Sequence, residues 1–404
     1  MVWAETDLCI VGGGPAGMVA GLLFARAGVR TTVLEKHGDF LRDFRGDTVH
    51  PSTLRIFSEL GLLEKLLQRP HDKVHHLTVT VGDRRIAVAD FTGFDRRWGF
   101  IAMMPQWEFL DFVADEARTY PNFTLVMEAE ATGLVVREGK VSGVDCRIGG
   151  ESARIGARLT IASDGRRSVL REHSGMPLRS LGAPMDVLWF RIPKQPGARN
   201  ESTGIFTSGR IMALIDRAHY WQCAYVFSKG QAEQIRARGL ERFRAEVAEA
   251  APQLAAEIAA ISTWDDIKLL TVALDRLECW HRSGLLVIGD AAHAMSPIGG
   301  VGINVAVQDA VAAANILAGP MALGADPEPL LAKVEARRRL AVRAIQGFQN
   351  AAQKRIVKPL LAGRAPVRPP LPLRLLGRYA ALRRIPAALL GFGIRPEHVR
   401  SPEA

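Results

Sequence analysis

Six residues near the start of the chain, Gly12-Gly13-Gly14-Pro15-Ala16-Gly17, have the types and spacing of a turn that holds a pyrophosphate. They fit G-x-G-x-x-G between a short apolar run, Asp7 to Val11, and a segment of helical periodicity from Pro15 to Gly28. Gly12 permits the tight turn, Gly14 lets the backbone approach the phosphates, and Gly17 lets the helix pack close to the strand. Pro15 and Ala16 open that helix, whose free N–H groups and partial positive charge face the anion. Arg30 to Glu35 reads as the next strand. Glu35 ends it 18 residues after Gly17, where an acid bonds ribose hydroxyls, and Lys36 follows at the same edge. The competing readings are a glycine-rich turn without a ligand and, for Glu35, a helix cap or surface acid. The turn by itself separates neither FAD from NAD nor one reaction from another.

Two distant stretches narrow the choice. Thr160-Ile161-Ala162-Ser163-Asp164-Gly165-Arg166-Arg167-Ser168 ends an apolar run, and Gly289-Asp290-Ala291-Ala292-His293 follows a buried strand. After the second come Pro297 and Gly299-Gly300-Val301-Gly302-Ile303-Asn304, opening a helix to Leu317. These stretches resemble the DG and GD motifs of class A flavoprotein monooxygenases, a family that includes para-hydroxybenzoate hydroxylase and kynurenine monooxygenase. The resemblance spans roughly residues 5–320, with the three motifs in the family's order.

The resemblance implies FAD as cofactor and NAD(P)H as co-substrate. It implies that Gly289 and Asp290 meet the ribityl chain, and that N–H groups of Gly300, Gly302 and Ile303 face the flavin's pyrimidine edge with help from Asn304. Such donors stabilise negative charge on the ring and ease its reduction. Pro297 is expected beside the flavin with its carbonyl toward the substrate, and Asp164 is expected to support FAD and the nicotinamide indirectly. Arg45 in Phe44-Arg45-Gly46-Asp47 matches an arginine next to the flavin. Gln106 matches a contact to the adenosine-side phosphates and ribose. His293 and Asp290 also have structural readings, as a packed histidine and a helix cap.

The implied reaction is reduction of FAD by NAD(P)H, addition of O2 to give a C4a-hydroperoxyflavin, and oxygen transfer to an electron-rich carbon. Such chemistry asks the protein to place the ring and exclude water. A substrate phenol would benefit from a base, and His50, just before the helix that starts at Pro51, is the candidate; a helix-entry residue is the other reading. Substrate contacts are expected from alternating strand positions in region 180–275, namely Trp189, Arg191, Met212, Leu214, Trp221, Gln222 and Tyr225. Their size suggests an aromatic or polycyclic substrate. No metal-ligand spacing is evident.

The elements that must position these residues follow from periodicity. Their order suggests one nucleotide-binding domain with inserted segments, and with the resemblance it implies an α/β fold: a Rossmann-like FAD-binding domain of the GR2 type with an inserted mixed β-sheet substrate domain and a helical C-terminus. The FAD domain is expected at 1–72, 100–178 and 276–330, the substrate sheet at 73–99 and 179–275, and a basic helical tail at 331–404. The chain has 404 residues, 48% of them hydrophobic and 23% charged, as in soluble globular proteins. Its four cysteines have no paired spacing, which fits a reducing cytoplasm. The net charge of +10 is local. Residues 331–404 hold 16 Lys+Arg and 3 Asp+Glu (+13), leaving 36 against 39 (−3) elsewhere. The core therefore gives no sign of nucleic-acid binding. The basic tail, with Leu375, Tyr379 and Leu382 on one helical face, allows weak contact with a membrane or an acidic partner, or plain packing. The rival functions are an isoprenoid-chain reductase and a non-catalytic FAD redox sensor. A tryptophan halogenase is disfavoured, because Trp98, Trp107 and Trp189 never form W-x-W-x-I-P.

Overall fold

The computed structural model describes residues 2–41, 47–195, 202–207, 209–217, 219–363 and 369–404. The chain enters as β1 (Val2–Val11), α1 (Pro15–Arg26) and β2 (Thr31–Leu34). Then come α2 (Pro51–Glu59), the hairpin β3 (His76–Val81) and β4 (Arg84–Asp90), and α3 (Gln106–Ala117). The helix expected from Pro51 to Gln68 breaks early, because Gly61 takes φ +72° behind Leu60.

β5 (Phe123–Val126), β6 (Ala129–Arg137), β7 (Lys140–Ile148) and β8 (Glu151–Ala162) lead to the short α4 (Val169–Ser174). Next are β9 (Leu178–Ser180), β10 (Met185–Pro193), β11 (Thr203–Thr207), β12 (Arg210–Arg217), β13 (Tyr220–Ser228) and α5 (Leu240–Ala250). The run from Gly204 to Ile215, expected as one strand, is a hairpin turned at Gly209, φ +76°. The chain continues with β14 (Lys268–Leu270), β15 (Asp275–Leu277), β16 (His281–Arg282), β17 (Leu285–Val287), α6 (Gly302–Ala322) and α7 (Leu331–Ala352). A π turn (Gln353–Val357), α8 (Lys358–Leu361), α9 (Leu371–Arg378) and α10 (Arg384–Gly391) complete it.

The first sheet runs β16-β17-β8-β1-β2-β5, with β17, β8, β1, β2 and β5 parallel and the β6–β7 pair attached beside β8. Parallel strands need covered faces. One face is covered by α1, α3 and α6, whose Leu22, Phe24, Phe109, Val113, Val307 and Val311 are buried in one core with Leu8, Ile10 and Ile161. Helix α6 is long and apolar enough to span a membrane, yet 83% of its apolar window is buried inside the protein.

The second sheet runs β14-β10-β13-β12-β11-β3-β4. Its strands come from two separate stretches of sequence, joined where β11 pairs in parallel with β3. One face is packed by α5. The other turns toward the first domain, where Val187, Ile211 and Ala224 meet Ile298, Val357 and Leu360.

The region after residue 331 is not a separate appendage. Helix α7 packs on α6, α9 and α10 pack on β4, and the final segment returns across the first domain. There Asn315 binds the backbone of His398, Arg400 and Ser401, while Arg26 pairs with Glu403.

Candidate cofactor and substrate site

The glycine turn has the shape a pyrophosphate requires. Gly12 holds φ +103°, and a Cβ there would lie 2.5 Å from Ser163 O; at Gly17 it would lie 1.9 Å from Gly12 O. At Gly14 nothing lies within 4 Å of a Cβ position. The N-terminus of α1 carries no side-chain cap and no acid in its first turn. Its N–H groups are thus available to an anion beside Gly14, Pro15, Ala16 and Gly17. Glu35 is nine-tenths buried; its Oε2 accepts Gly13 N–H (2.9 Å) and its Oε1 accepts His37 N–H (3.1 Å), fixing the carboxylate at the turn. Lys36 is exposed next to it.

The DG and GD motifs, 124 residues apart, are bonded to each other. Arg166 Nε donates to Asp290 Oδ2 at 3.0 Å, and Arg171 reaches Ala291 O at 2.9 Å and Arg166 O at 2.7 Å. Asp164 caps α4, its Oδ2 accepting Val169 N–H at 2.9 Å, while its Oδ1 is buried with no partner among the described residues. Burial raises the Asp164 carboxyl above its ordinary value, against the bonds from Ser168 and the helix backbone. Gly289, at φ +62°, packs against Ala16, which brings the GD motif onto the phosphate turn.

The loop that leads into α6 is tied from two sides. On one side, Thr48 Oγ1 donates to Gly300 O at 2.7 Å. Asn304 Oδ1 accepts His50 N–H (2.8 Å) and Thr53 Oγ1–H (2.7 Å), and its Nδ2 donates to Thr48 O (3.2 Å). Asn304, expected to assist at the flavin, uses its amide oxygen and one N–H in these bonds. Ile303 is buried in the core, so only its backbone is available to a cofactor. Gly302 has open space at its Cβ position, as at Gly14, and α6 has no side-chain cap. Pro297 O accepts Gly300 N–H at 3.0 Å, so one lone pair of this carbonyl closes the turn at the start of the loop.

On the other side stands a row of glutamines on α7. Gln346 Nε2 donates to Asp275 O (2.7 Å) and Ala294 O (3.2 Å). Gln349 Nε2 donates to Ser296 O (2.9 Å) and Ile298 O (3.0 Å), and its Oε1 accepts Ser296 N–H (3.1 Å). The next member, Gln353, is 0% exposed, and both its amide atoms lack a hydrogen-bond partner among the described residues. It begins the π turn, a rare local geometry that is frequent at functional sites. Nothing in the sequence marked it.

Several expected residues fall elsewhere. Met212, Leu214, Trp221 and Tyr225 belong to the face packed under α5, and Tyr225 Oη–H donates to Glu246 at 3.0 Å. β10 and β13 were expected as strands, but the residues chosen from β12 and two of the three chosen from β13 lie on the opposite face, and in a strand one residue exchanges the two faces. The face toward the cofactor domain carries Val187, Trp189, Ile211, Ala213, Ala224 and Val226. Trp189 is therefore on the expected face, and its buried Nε1–H has no partner among the described residues. Gln222 shares that face, yet its Oε1 accepts Arg217 Nε–H at 3.1 Å. Arg217 also lies 2.6 Å from Asp47. Burial raises the Asp47 carboxyl, opposed by the charge of Arg217 and by bonds from Gln222 and the Gln106 backbone N–H. Gln106 thus meets the loop after residue 46 at the start of α3, while Arg45 itself lies outside the described residues. Arg191 is exposed near the end of β10, over the Tyr220 ring.

His50 is fully buried, its Nδ1 2.8 Å from Leu390 O and its Nε2 without a partner among the described residues. It positions the entry of α2 and is not exposed to a substrate, contrary to the base expected of it. Burial pulls the ring down to about 4, against the carbonyls of Leu390 and Gly300. At neutral pH the ring is uncharged. Above pH 6.5 folded and unfolded chains both carry it neutral. As pH falls from 6.5 toward 4 only the unfolded chain takes up the proton, so up to about 3 kcal/mol of stability is lost in that window. Urea titrations from pH 7 to 4 should show this slope flattened in His50→Gln; an unchanged slope would mean that the ring titrates normally.

His293 is also structural. Its Nε2 is 2.6 Å from Asp309 Oδ2, its ring lies tilted against Trp280 with centroids 4.8 Å apart, and it is buried. Cys279, His281 and Glu335 bring three potential ligand atoms within 4.8 Å, but Glu335 already accepts Trp280 N–H and pairs with Arg339.

Comparison with known proteins agrees with this geometry. The family of FAD-binding domains matches residues 5–348. The chain is 30% identical over 404 residues to 6-methylpretetramide 4-monooxygenase of Streptomyces rimosus, covering 98% of this chain and 95% of that one. Its fold superposes on p-nitrophenol 4-monooxygenase of Pseudomonas putida with a TM-score of 0.76 at 20% identity, covering 96% and 97% of the two chains. The anhydrotetracycline hydroxylase of Streptomyces rimosus gives 0.74 at 21% identity, covering 96% and 76%.

Proposed function

The chain belongs to the FAD-binding-domain family of flavoprotein monooxygenases and is an FAD- and NAD(P)H-dependent oxidoreductase, and we propose that it hydroxylates a polycyclic aromatic compound bearing adjacent donor and acceptor groups. The observation that carries this reading is the wall facing the cofactor domain. It is apolar, yet two buried polar groups lack a partner among the described residues: the Trp189 indole N–H on that face, and the Gln353 amide at the start of the turn whose Val357 packs against it. Leaving a buried amide unbonded costs on the order of 1–3 kcal/mol, so its retention points to a ligand that bonds it. The similarity to 6-methylpretetramide 4-monooxygenase supports the hydroxylase reading.

The residues present fit FAD. Gly12, Gly14, Pro15, Ala16 and Gly17 would hold the pyrophosphate, and Glu35 the adenosine ribose. Gln106 and Lys36 would lie near the adenosine end, while Asp290 and Gly289 would meet the ribityl chain. The backbone at Gly300, Gly302 and Ile303 would face the flavin ring. Bound there, FAD supplies electron transfer from NAD(P)H and activation of O2. The protein's share is positional. The α1 N-terminus neutralises phosphate charge, and Arg166 holds Asp290 in place. The apolar sheet face, Ile298 and Val357 exclude water from the reacting atoms.

The test is to purify the protein and follow NADPH and NADH oxidation in air with phenols, quinolones and polycyclic aromatics. A yellow protein whose oxidation rate rises with one compound, giving a product heavier by one oxygen, supports the reading; a colourless protein that FAD cannot reconstitute would sink it. With that compound, Gln353→Leu should lower kcat/KM about tenfold while thermal stability holds or rises, since an unbonded amide is replaced by a carbon side chain of similar size. A drop in Tm with unchanged kcat/KM would make the amide structural.

A cytoplasmic location is part of the same reading, supported by four free cysteines. So is weak contact of α9 and α10 with an anionic surface, where exposed Leu371, Leu375, Tyr379 and Ile385 stand beside Arg374, Arg378 and Arg384. Co-sedimentation with anionic vesicles tests it.

A further inference from the structure

Strands β9 and β15 form a two-stranded antiparallel ribbon that places Arg179 directly opposite Arg276. Like charges facing each other across a ladder are destabilising. Across a groove of about 340 Å³ a third guanidinium, Arg343 of α7, lines the same space. Among the described residues no carboxylate pairs with any of the three. Asp275, the acid next to Arg276, is turned the other way, its Oδ1 accepting Ala294 N–H at 3.2 Å. Arg276 is held in place by Gln346, whose Oε1 accepts its Nη1–H at 3.2 Å; Gln346 is itself fully buried and anchored to Asp275 O and Ala294 O. Burial, and then the fields of Arg343, Arg179 and Arg339, weaken the hold of Arg276 on its proton. A bound anion would reverse that field.

We propose that this groove is a binding site for a phosphoryl group, gripped by Arg179, Arg276 and Arg343. Three converging guanidiniums present forked N–H donors that match the oxygens of a phosphate, a geometry ammonium groups lack. The groove's volume lies at the lower end of the range for ligand pockets, ~300–1,000 Å³, enough for a phosphate ester with part of its parent molecule. Its place suits a co-substrate. β15 runs between the groove and the GD loop, Leu277 N–H donating to Ala292 O at 2.8 Å, so the groove is one strand away from the loop that carries Asp290. The phosphoryl group has two candidate sources, the pyridine nucleotide that reduces the flavin or a separate phosphorylated metabolite. The first rests on the monooxygenase reading; the site itself does not.

The test uses the holoenzyme, with Arg179→Gln, Arg343→Gln and the double variant. Tm is measured against inorganic phosphate, with ionic strength held constant by sodium chloride so that general screening cancels. Without phosphate, Arg179→Gln should melt slightly above the wild type, because the facing charge is gone. With phosphate, the wild type should gain stability and the double variant should not. KM values for NADPH and NADH then identify the source. A rise of about tenfold for NADPH alone assigns the site to the 2′-phosphate, and a rise for both nucleotides assigns it to the pyrophosphate. Loss of the phosphate effect with neither KM changed assigns it to another phosphorylated compound. A wild type that gains no more from phosphate than the double variant overturns the proposal, whatever the hydroxylation assay shows.

Discussion

Gly14→Ala is expected to fold normally yet purify without flavin, whereas Gly17→Ala is expected to fail at the level of the fold. The two glycines sit three residues apart and do different work. A methyl group at Gly17 would lie 1.9 Å from Gly12 O and 2.6 Å from Ser163 Oγ, both fixed by strands of the first sheet. Neither can withdraw without breaking the approach of α1 to the sheet. At Gly14 the backbone is at φ −74°, a conformation alanine adopts freely, and no protein atom lies within 4 Å of the new methyl. Only a ligand would meet it. Loss of two charge-assisted contacts to the pyrophosphate would weaken FAD about 100-fold or more. Circular dichroism melting separates the variants from each other, and the absorbance of released flavin measures retention. Flavin retained at wild-type level in Gly14→Ala would mean that the pyrophosphate lies elsewhere.

Asp309→Asn should cost about 3–5 kcal/mol, the largest loss of stability expected from a single change of similar volume. Asp309 is 0% exposed on α6. It accepts bonds from His293 Nε2 at 2.6 Å, Arg338 Nε at 2.9 Å and Gly289 N–H at 3.1 Å. Burial opposes its ionisation, but His293 and Arg338 outweigh that and keep the carboxyl below its usual range. Neutralising it leaves the guanidinium of Arg338, also 0% exposed, with Glu397 at 3.5 Å as its remaining acid among the described residues. Because Gly289 shares the same carboxylate, flavin retention should weaken together with stability. The pair Asp309→Leu with Arg338→Met should recover most of the loss in urea unfolding, since an apolar replacement leaves no charge stranded. If the double variant is no better than Asp309→Asn, the cost lies in packing and not in the stranded charge.

These residues differ in how visible they were before the fold was known. The turn at 12–17 and Glu35 could be read from the chain because a strand, a turn and a helix must be contiguous to make them. The GD loop was visible for the same reason. The bond from Arg166 to Asp290 joins residues 124 positions apart, and no local pattern encodes it. The sheet face was lost to parity: β12 and β13 have large residues on both sides, so alternation marked strands without saying which side met the cofactor domain. Gln353 was hidden differently. It lies in a helical run of ordinary composition, and what sets it apart is visible in the fold alone: a π turn, and burial without a partner among the described residues. His50 was noticed for its type, but the environment that decides its chemistry is Leu390, 340 residues away.

The interleaving of the first sheet sets a timetable for synthesis. The turn at residues 12–17 is backed by Ser163 just after β8 and by Gly289 after β17, and α6 packs on the helix that follows it. On a ribosome adding ~5–20 residues per second, the N-terminal strand waits on the order of tens of seconds for those partners. Until β8 is made, the edge of β1 away from β2 has no partner, and until Gly289 and α6 follow, the flavin site is incomplete. The apoprotein nascent chain, more than the finished enzyme, is therefore the species that depends on chaperones, and slowing translation between residues 35 and 290 should lower soluble yield.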